Sequence, residues 1–170
     1  DLHSFPTRRS SDLFYHNEAL DEMPVFTDYS MQGRTYRYYG GTPLYPFGYG
    51  LSYVKMELSG LTADHEAAHV TVTNASDSEA EEVVQLYMKD NESPDAPPNP
   101  ILCGFARIRL APGEKREVCI PISPRALTVV TSSGERIPGS GNRTLYAGFG
   151  QPDPRTEELT GLHALSVSLR

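Results

Sequence analysis

Tryptophan is absent from the 170 residues, cysteine occurs only twice, and cations are outnumbered, with 15 Lys and Arg against 22 Asp and Glu. No apolar run approaches the ~20 residues a membrane-spanning helix needs. The first residues also lack the apolar core of a secretory leader, and periplasmic, secreted and cytoplasmic locations all stay compatible with the chain. The two thiols, Cys103 and Cys119, are too far apart for a Cys-x-x-Cys redox pair and too few for a zinc site. They are expected as reduced, partly buried side chains. A formal net charge of −7 leaves no basic face to neutralise phosphates, which excludes nucleic acid and anionic membrane as partners. A neutral ligand such as a sugar remains compatible.

Gly, Pro and aromatics are plentiful: fourteen Gly, fourteen Pro, ten Tyr and six Phe. So much backbone punctuation favours many short strands joined by turns over a few long helices. The length suits one domain with extensions.

Residues 1–13 stand apart. SFPTRRSSDL, residues 4–13, has no hydrophobic periodicity; read back through the genetic code, it fits one frame of a short-read sequencing adapter. Residues 1–13 are therefore read as a non-native scar and left out of the fold, with natural sequence expected upstream of Phe14.

Residues 14–50 form an irregular, aromatic-rich lead-in whose glycines and prolines forbid a long helix. The alternation of half-buried strands follows. Val54, Met56 and Leu58 mark one strand, Val70 and Val72 a second, and Val84, Leu86 and Met88 a third. Residues 91–100, with four prolines, read as a long exposed connection. Phe105, Ile108 and Leu110 resume the pattern, and Ala111-Pro112-Gly113-Glu114 has Pro and Gly in the order of a type II turn. Val118, Ile120 and Ile122 turn Cys119 to the opposite face; Leu127, Val129 and Ile137 continue around Ser133-Gly134; Leu145, Ala147 and Phe149 close the series. About seven short strands predict an all-β fold, a fibronectin-III or immunoglobulin-like sandwich over residues 51–170.

Four runs carry a family resemblance. GRTYRYY with PLYPFGYGLSY (residues 33–39 and 43–53), VTVTNASDSEAEEVVQLYMKD (70–90), GFARIRLAPGEKREVCIPI (104–122) and PGSGNRTLYAGFGQPD (138–153) follow one another in order. Together they resemble the junction and C-terminal fibronectin type III-like domain of family 3 glycoside hydrolases. The resemblance implies that residues 14–50 are the tail of a preceding catalytic-region domain plus linker. It also implies a parent enzyme that releases terminal β-linked sugars by the retaining route, as a β-glucosidase or β-xylosidase, with GRTYRYY and Gln-Pro-Asp leaning towards the latter. That route needs a nucleophilic and an acid/base carboxyl group, which the resemblance assigns to upstream domains. The fragment is expected to be an accessory, stabilising domain with no catalytic, cofactor-binding or metal-binding residues and no cofactor of its own. Its expected partners are those upstream domains and, through them, an oligosaccharide or glycoside.

Residues inside the chain offer few competitors to that expectation. Asp21 with Glu22, Glu79 with Glu81 and Glu82, and Glu157 with Glu158 lie among polar residues beside turns, where charge serves solubility rather than an acid catalyst's raised pKa. His65 and His69 alone do not close a metal shell. Asn74, Asn91 and Asn142 open Asn-x-Ser/Thr triplets that permit glycosylation in a eukaryotic secretory pathway. Tyr36, Tyr38, Tyr45, Phe47 and Tyr49 are the sharpest candidates. They could stack on sugar rings, but large aromatic area beside glycines favours packing in an interdomain seam. The alternative from another class is a free-standing carbohydrate-binding or adhesion sandwich.

Overall fold

The computed structural model describes Thr27 and residues 31–169. The scar assigned to residues 1–13, the segment 14–26 and the Asp21/Glu22 cluster lie outside the described residues.

Two antiparallel sheets face each other. The first has three strands in the order β1 (Met56–Ala63), β2 (Ala67–Asn74), β5 (Lys115–Pro121); the second has four, β4 (Ile101–Leu110), β3 (Ala80–Asp90), β8 (Arg143–Gly148), β9 (Leu165–Leu169). A two-stranded ribbon, β6 (Thr128–Val130) with β7 (Arg136–Pro138), stands to one side. Alternation drives this pairing. Val70, Val72, Val118 and Ile120 point from the first sheet, and Val84, Leu86, Met88, Ile108, Leu110, Leu145 and Ala147 from the second, into one buried core. Burying a side chain of this kind contributes about 1.5–3 kcal/mol, so the sandwich closes on these residues.

The all-β sandwich is the expected one, with three differences of detail. The series does not close at Phe149: helix α2 (Pro154–Thr160) and strand β9 follow. Helix α2 begins with Asp153 capping the Arg155 amide at 2.8 Å and Pro154 in the first turn, and ends on Gly161 at φ 69°. In β9, Leu165, Val167 and Leu169 alternate with serines as any half-buried strand does. The connection 91–100 is not simply exposed, since Ser93, Ala96, Pro97, Asn99 and Pro100 are half-buried. Cys103 is buried in the core, but Cys119 is exposed rather than partly buried. Strand β5 turns it away from Val118 and Ile120, onto the outer face of its sheet.

Asn74 does more than suit a turn. Fully buried, it donates from Nδ2 to the carbonyls of Ser78 (2.8 Å) and Leu110 (3.1 Å) and accepts the Ser76 amide at 3.0 Å. Its backbone N–H donates to Glu114 O and its carbonyl accepts from Gly113. One amide thus ties the end of β2 to the end of β4 and to the 111–114 turn, where Gly113 takes the positive φ expected of it. Burial also makes Asn74 unfit as a glycan acceptor in the folded chain, while Asn91 and Asn142 are exposed.

Candidate functional site

The lead-in is a third layer. Alternate residues of β3 point away from the core, which would leave Tyr87 on the outer face of the four-stranded sheet; Tyr87 is nevertheless fully buried. What covers it is α1 (Thr35–Tyr38), a single helical turn, and the strap from Tyr39 to Gly48. Tyr36 lies flat on Phe47, centroids 4.0 Å apart and planes 7° apart, and Phe47 meets Tyr87 edge-on at 6.4 Å. The edge-on contact is an arrangement that aromatic quadrupoles favour.

Polar groups fix the strap in register. The Leu102 amide donates to the Tyr36 hydroxyl at 3.1 Å, and Asn99 Nδ2 donates to the carbonyls of Tyr36 and Tyr39. Gln151 donates its backbone N–H to Phe47 O (3.0 Å) and Nε2 to Tyr36 O (3.4 Å). Gln85 Nε2 donates to Gly48 O, and the Tyr87 hydroxyl donates to Gln85 Oε1 at 2.6 Å. Gly48 is required here: its φ is +75°, and a β-carbon would collide with Gln85 Oε1 and the Tyr87 hydroxyl. Burial pushes the Tyr87 hydroxyl far above the usual phenol range, so it stays a neutral donor.

The five aromatic candidates therefore divide. Tyr36 and Phe47 are sealed against the sandwich. Tyr45 and Tyr49 stack on each other at 5.4 Å, with Tyr45 exposed. Tyr38 lies half-buried beside a separate cleft between α1, the 91–100 loop and the β6/β7 ribbon. Beyond Gly48 the chain runs out over a groove of about 720 Å³ between residues 48–56 and the end of α2. Its rim carries Leu51, 89% exposed, the fully exposed Tyr53, and Leu162. In the sequence Leu51 and Tyr53 stand in the 43–53 run and, like Leu162, fall outside any alternating strand, so no periodicity marks them. Gln151 stands out there only through the family resemblance; its role in holding the lead-in depends on a contact across 115 residues.

Most carboxylates of the two described clusters contact cationic or basic side chains, while Glu82 accepts the Val83 amide instead. Glu81 pairs with Arg107 at 2.5 Å and Arg109 at 2.9 Å, and those guanidiniums hold its carboxyl below the usual range, the opposite of an acid catalyst's need. Glu157 pairs with His163 at 2.9 Å and Glu158 with Arg155 at 2.7 Å. His69 lies exposed on β2 and His65 in the preceding bend; with their neighbours they make no group of three metal-binding side chains among the described residues.

Comparison with known proteins fits this arrangement. Residues 82–150 match the model of the fibronectin type III-like domain, Fn3-like. The chain is 39% identical over 135 residues to thermostable beta-glucosidase B of Acetivibrio thermocellus, an alignment covering 72% of this chain and 18% of that protein. It is 35% identical over 130 residues to a xylan 1,4-beta-xylosidase of Xylanibacter ruminicola, covering 72% of this chain and 14% of the other. The chain thus spans under a fifth of the length of these relatives. Among solved structures, the GH3 beta-glucosidase of Bifidobacterium adolescentis superposes with a TM-score of 0.65 at 29% identity, over 81% of this chain and 21% of that one. A two-sheet sandwich matched by sequence and by shape to one region of long glycosidases places the chain: it belongs with the fibronectin type III-like domains in the C-terminal region of family 3 glycoside hydrolases.

Proposed function

We propose that the chain serves as the stabilising C-terminal domain of a retaining β-glycosidase, of β-glucosidase or β-xylosidase type, docked on catalytic domains upstream in the same polypeptide. The observation that carries this reading is the rim of the 48–56 groove. Leu51, Tyr53 and Leu162 stand exposed around a large recess of mixed lining directly after the strap. Apolar surface of that kind marks an interaction site. The nucleophile and the acid/base belong to the upstream domains; of the candidate carboxylates, Glu81 and Glu158 are engaged by arginines and Glu157 contacts His163.

A second reading, a free-standing carbohydrate-binding module, draws on the stacked and partly open Tyr45/Tyr49 pair, since aromatic faces can receive the C–H face of a sugar. A graft separates the two. Residues 31–170 replace the matching region of the Acetivibrio thermocellus beta-glucosidase, and thermal stability and glucoside hydrolysis are measured. The accessory reading expects the graft to restore stability lost on deleting that region, and Leu51→Ser with Tyr53→Ser to remove the gain. A graft no better than the deletion, together with saturable binding of neutral xylo- or gluco-oligosaccharides by the chain alone, would establish the binding-module reading instead.

A further inference from the structure

Five arginines of the sandwich, Arg107, Arg109, Arg116, Arg143 and Arg155, each have a carboxylate within 4.0 Å. Arg37, Arg125 and Arg136 have none among the described residues, and all three line one cleft of about 330 Å³. In a chain of net charge −7, three exposed arginines with no described carboxylate within 4.0 Å thus share one cleft. They come from three separate segments: Arg37 from α1, Arg125 from the 3-10 helix Pro124–Leu127, and Arg136 from β7.

Two of the backbones and one of the guanidiniums are held: Arg37 O accepts the Asn99 amide at 3.1 Å, Arg125 O accepts the Thr128 hydroxyl at 2.8 Å, and Arg136 donates from its side-chain Nη1 to that hydroxyl at 2.7 Å. The loop forming one wall is braced from behind by Lys89, whose ammonium donates to the carbonyls of Pro97 and Pro98. The cleft also offers Tyr38, the apolar Val129, and a single carboxylate, Asp95. Planar guanidiniums recognise carboxylates through paired N–H donors. An aromatic ring with apolar neighbours suits the C–H face of a pyranose, and one carboxylate suits its hydroxyls. The size is that of a small-ligand site rather than a protein face.

We propose that this cleft, which shares no lining residue with the 48–56 groove, binds a carboxylate-bearing sugar unit, a uronic acid. The choice of a sugar over other carboxylates rests on the glycosidase reading above. Arg37, Arg125 and Arg136 would clamp the carboxylate, Tyr38 would support the ring, and Asp95 would accept from a hydroxyl.

The test is a titration of the full chain, followed by amide chemical shifts, with D-glucuronate, D-xylose, acetate and a short oligoglutamate as separate probes. Glucuronate is expected to saturate shifts around residues 37, 125 and 136, with affinity at least about tenfold above xylose and acetate because ring and carboxylate act together. Binding should weaken as salt is raised. Arg125→Gln with Arg136→Gln, checked for an otherwise unchanged spectrum, should abolish it. No saturable shift, or equal affinity for acetate and glucuronate, would overturn the assignment; displacement of glucuronate by oligoglutamate at lower concentration would make the cleft a polypeptide contact instead. The graft experiment does not use this cleft. A stabilised graft with a silent cleft sinks the uronate assignment alone, and a failed graft with a glucuronate-binding cleft sinks the accessory reading alone.

Discussion

Asn99 Nδ2 donates to the carbonyl oxygen of Tyr36 at 2.8 Å, joining the proline-rich loop to a residue 63 positions earlier. The same nitrogen reaches Tyr39 O, also at 2.8 Å. The 91–100 loop is half-buried because it is one side of the socket in which the lead-in sits.

Removing the ring from that socket should be costly. Tyr36→Ala is expected to lower unfolding free energy by about 3–5 kcal/mol, the range for deleting a large buried aromatic, and Asn99→Ala by about 1–3 kcal/mol through orphaned carbonyls. Urea denaturation of the full chain measures both. Midpoints unchanged from the parent would mean that the lead-in contributes nothing to the sandwich.

Gly48→Ala tests the strap at its tightest point. The positive φ and the collision with the Gln85 amide and Tyr87 hydroxyl should cost about 1–3 kcal/mol. A Tyr87 that becomes accessible to water should also change tyrosine fluorescence. Gly50→Ala, where a β-carbon meets nothing within 4 Å, is the control and should be near neutral.

Asp90 gives a pH signature. Burial works against its ionisation, but the Ser140 hydroxyl at 2.6 Å and the amides of Ser93, Glu92 and Ser140 outweigh it and hold the carboxyl below its ordinary value. A depressed folded-state pKa means stability fully present above the unfolded value, near 3.9, and lost as pH falls through the folded value. Asp90→Asn should destabilise by about 3 kcal/mol at pH 7, partly by stranding the buried Arg143, which lies 4.0 Å away. The gap between parent and variant should narrow towards pH 2; a gap constant with pH would refute the assignment.

The thiols should separate cleanly. Burial pushes Cys103 up to about 12, and its Sγ faces Leu86 O at 3.3 Å inside the core, whereas Cys119 is exposed. Alkylation at pH 8 should modify one thiol per folded chain, at Cys119, and the second only in denaturant. Fast double labelling would contradict the packing around Cys103.

How much could be read beforehand follows from the range of each interaction. Val70 and Val72, Val84 to Met88, and Val118 to Ile122 announce their strands because a period of two is local. Asp153-Pro154 and Gly161 are equally local signals for α2, and Leu165, Val167 and Leu169 for β9, so the closing elements were legible by the same rules. The burial of Tyr87 was not. Alternation assigns it to the outer face, and only the strap, reaching it across 40 residues through Phe47, makes that face an interior. Arg37, Arg125 and Arg136 were invisible for the same reason, since no spacing in the chain links them. Composition alone, with its net negative charge, argued against any cationic site.

The strap also bears on how such modules can be exchanged between genes. A recombination breakpoint at the first sandwich strand would deliver a domain with Tyr87 laid bare and Gln85, Asn99 and Gln151 facing water. A breakpoint upstream of Arg34 would carry the cover along with the sandwich it protects. The heritable unit is therefore longer at its leading end than its two sheets suggest, and shuffled descendants of this domain should keep the tyrosine-rich leader and Gln151 together or lose both.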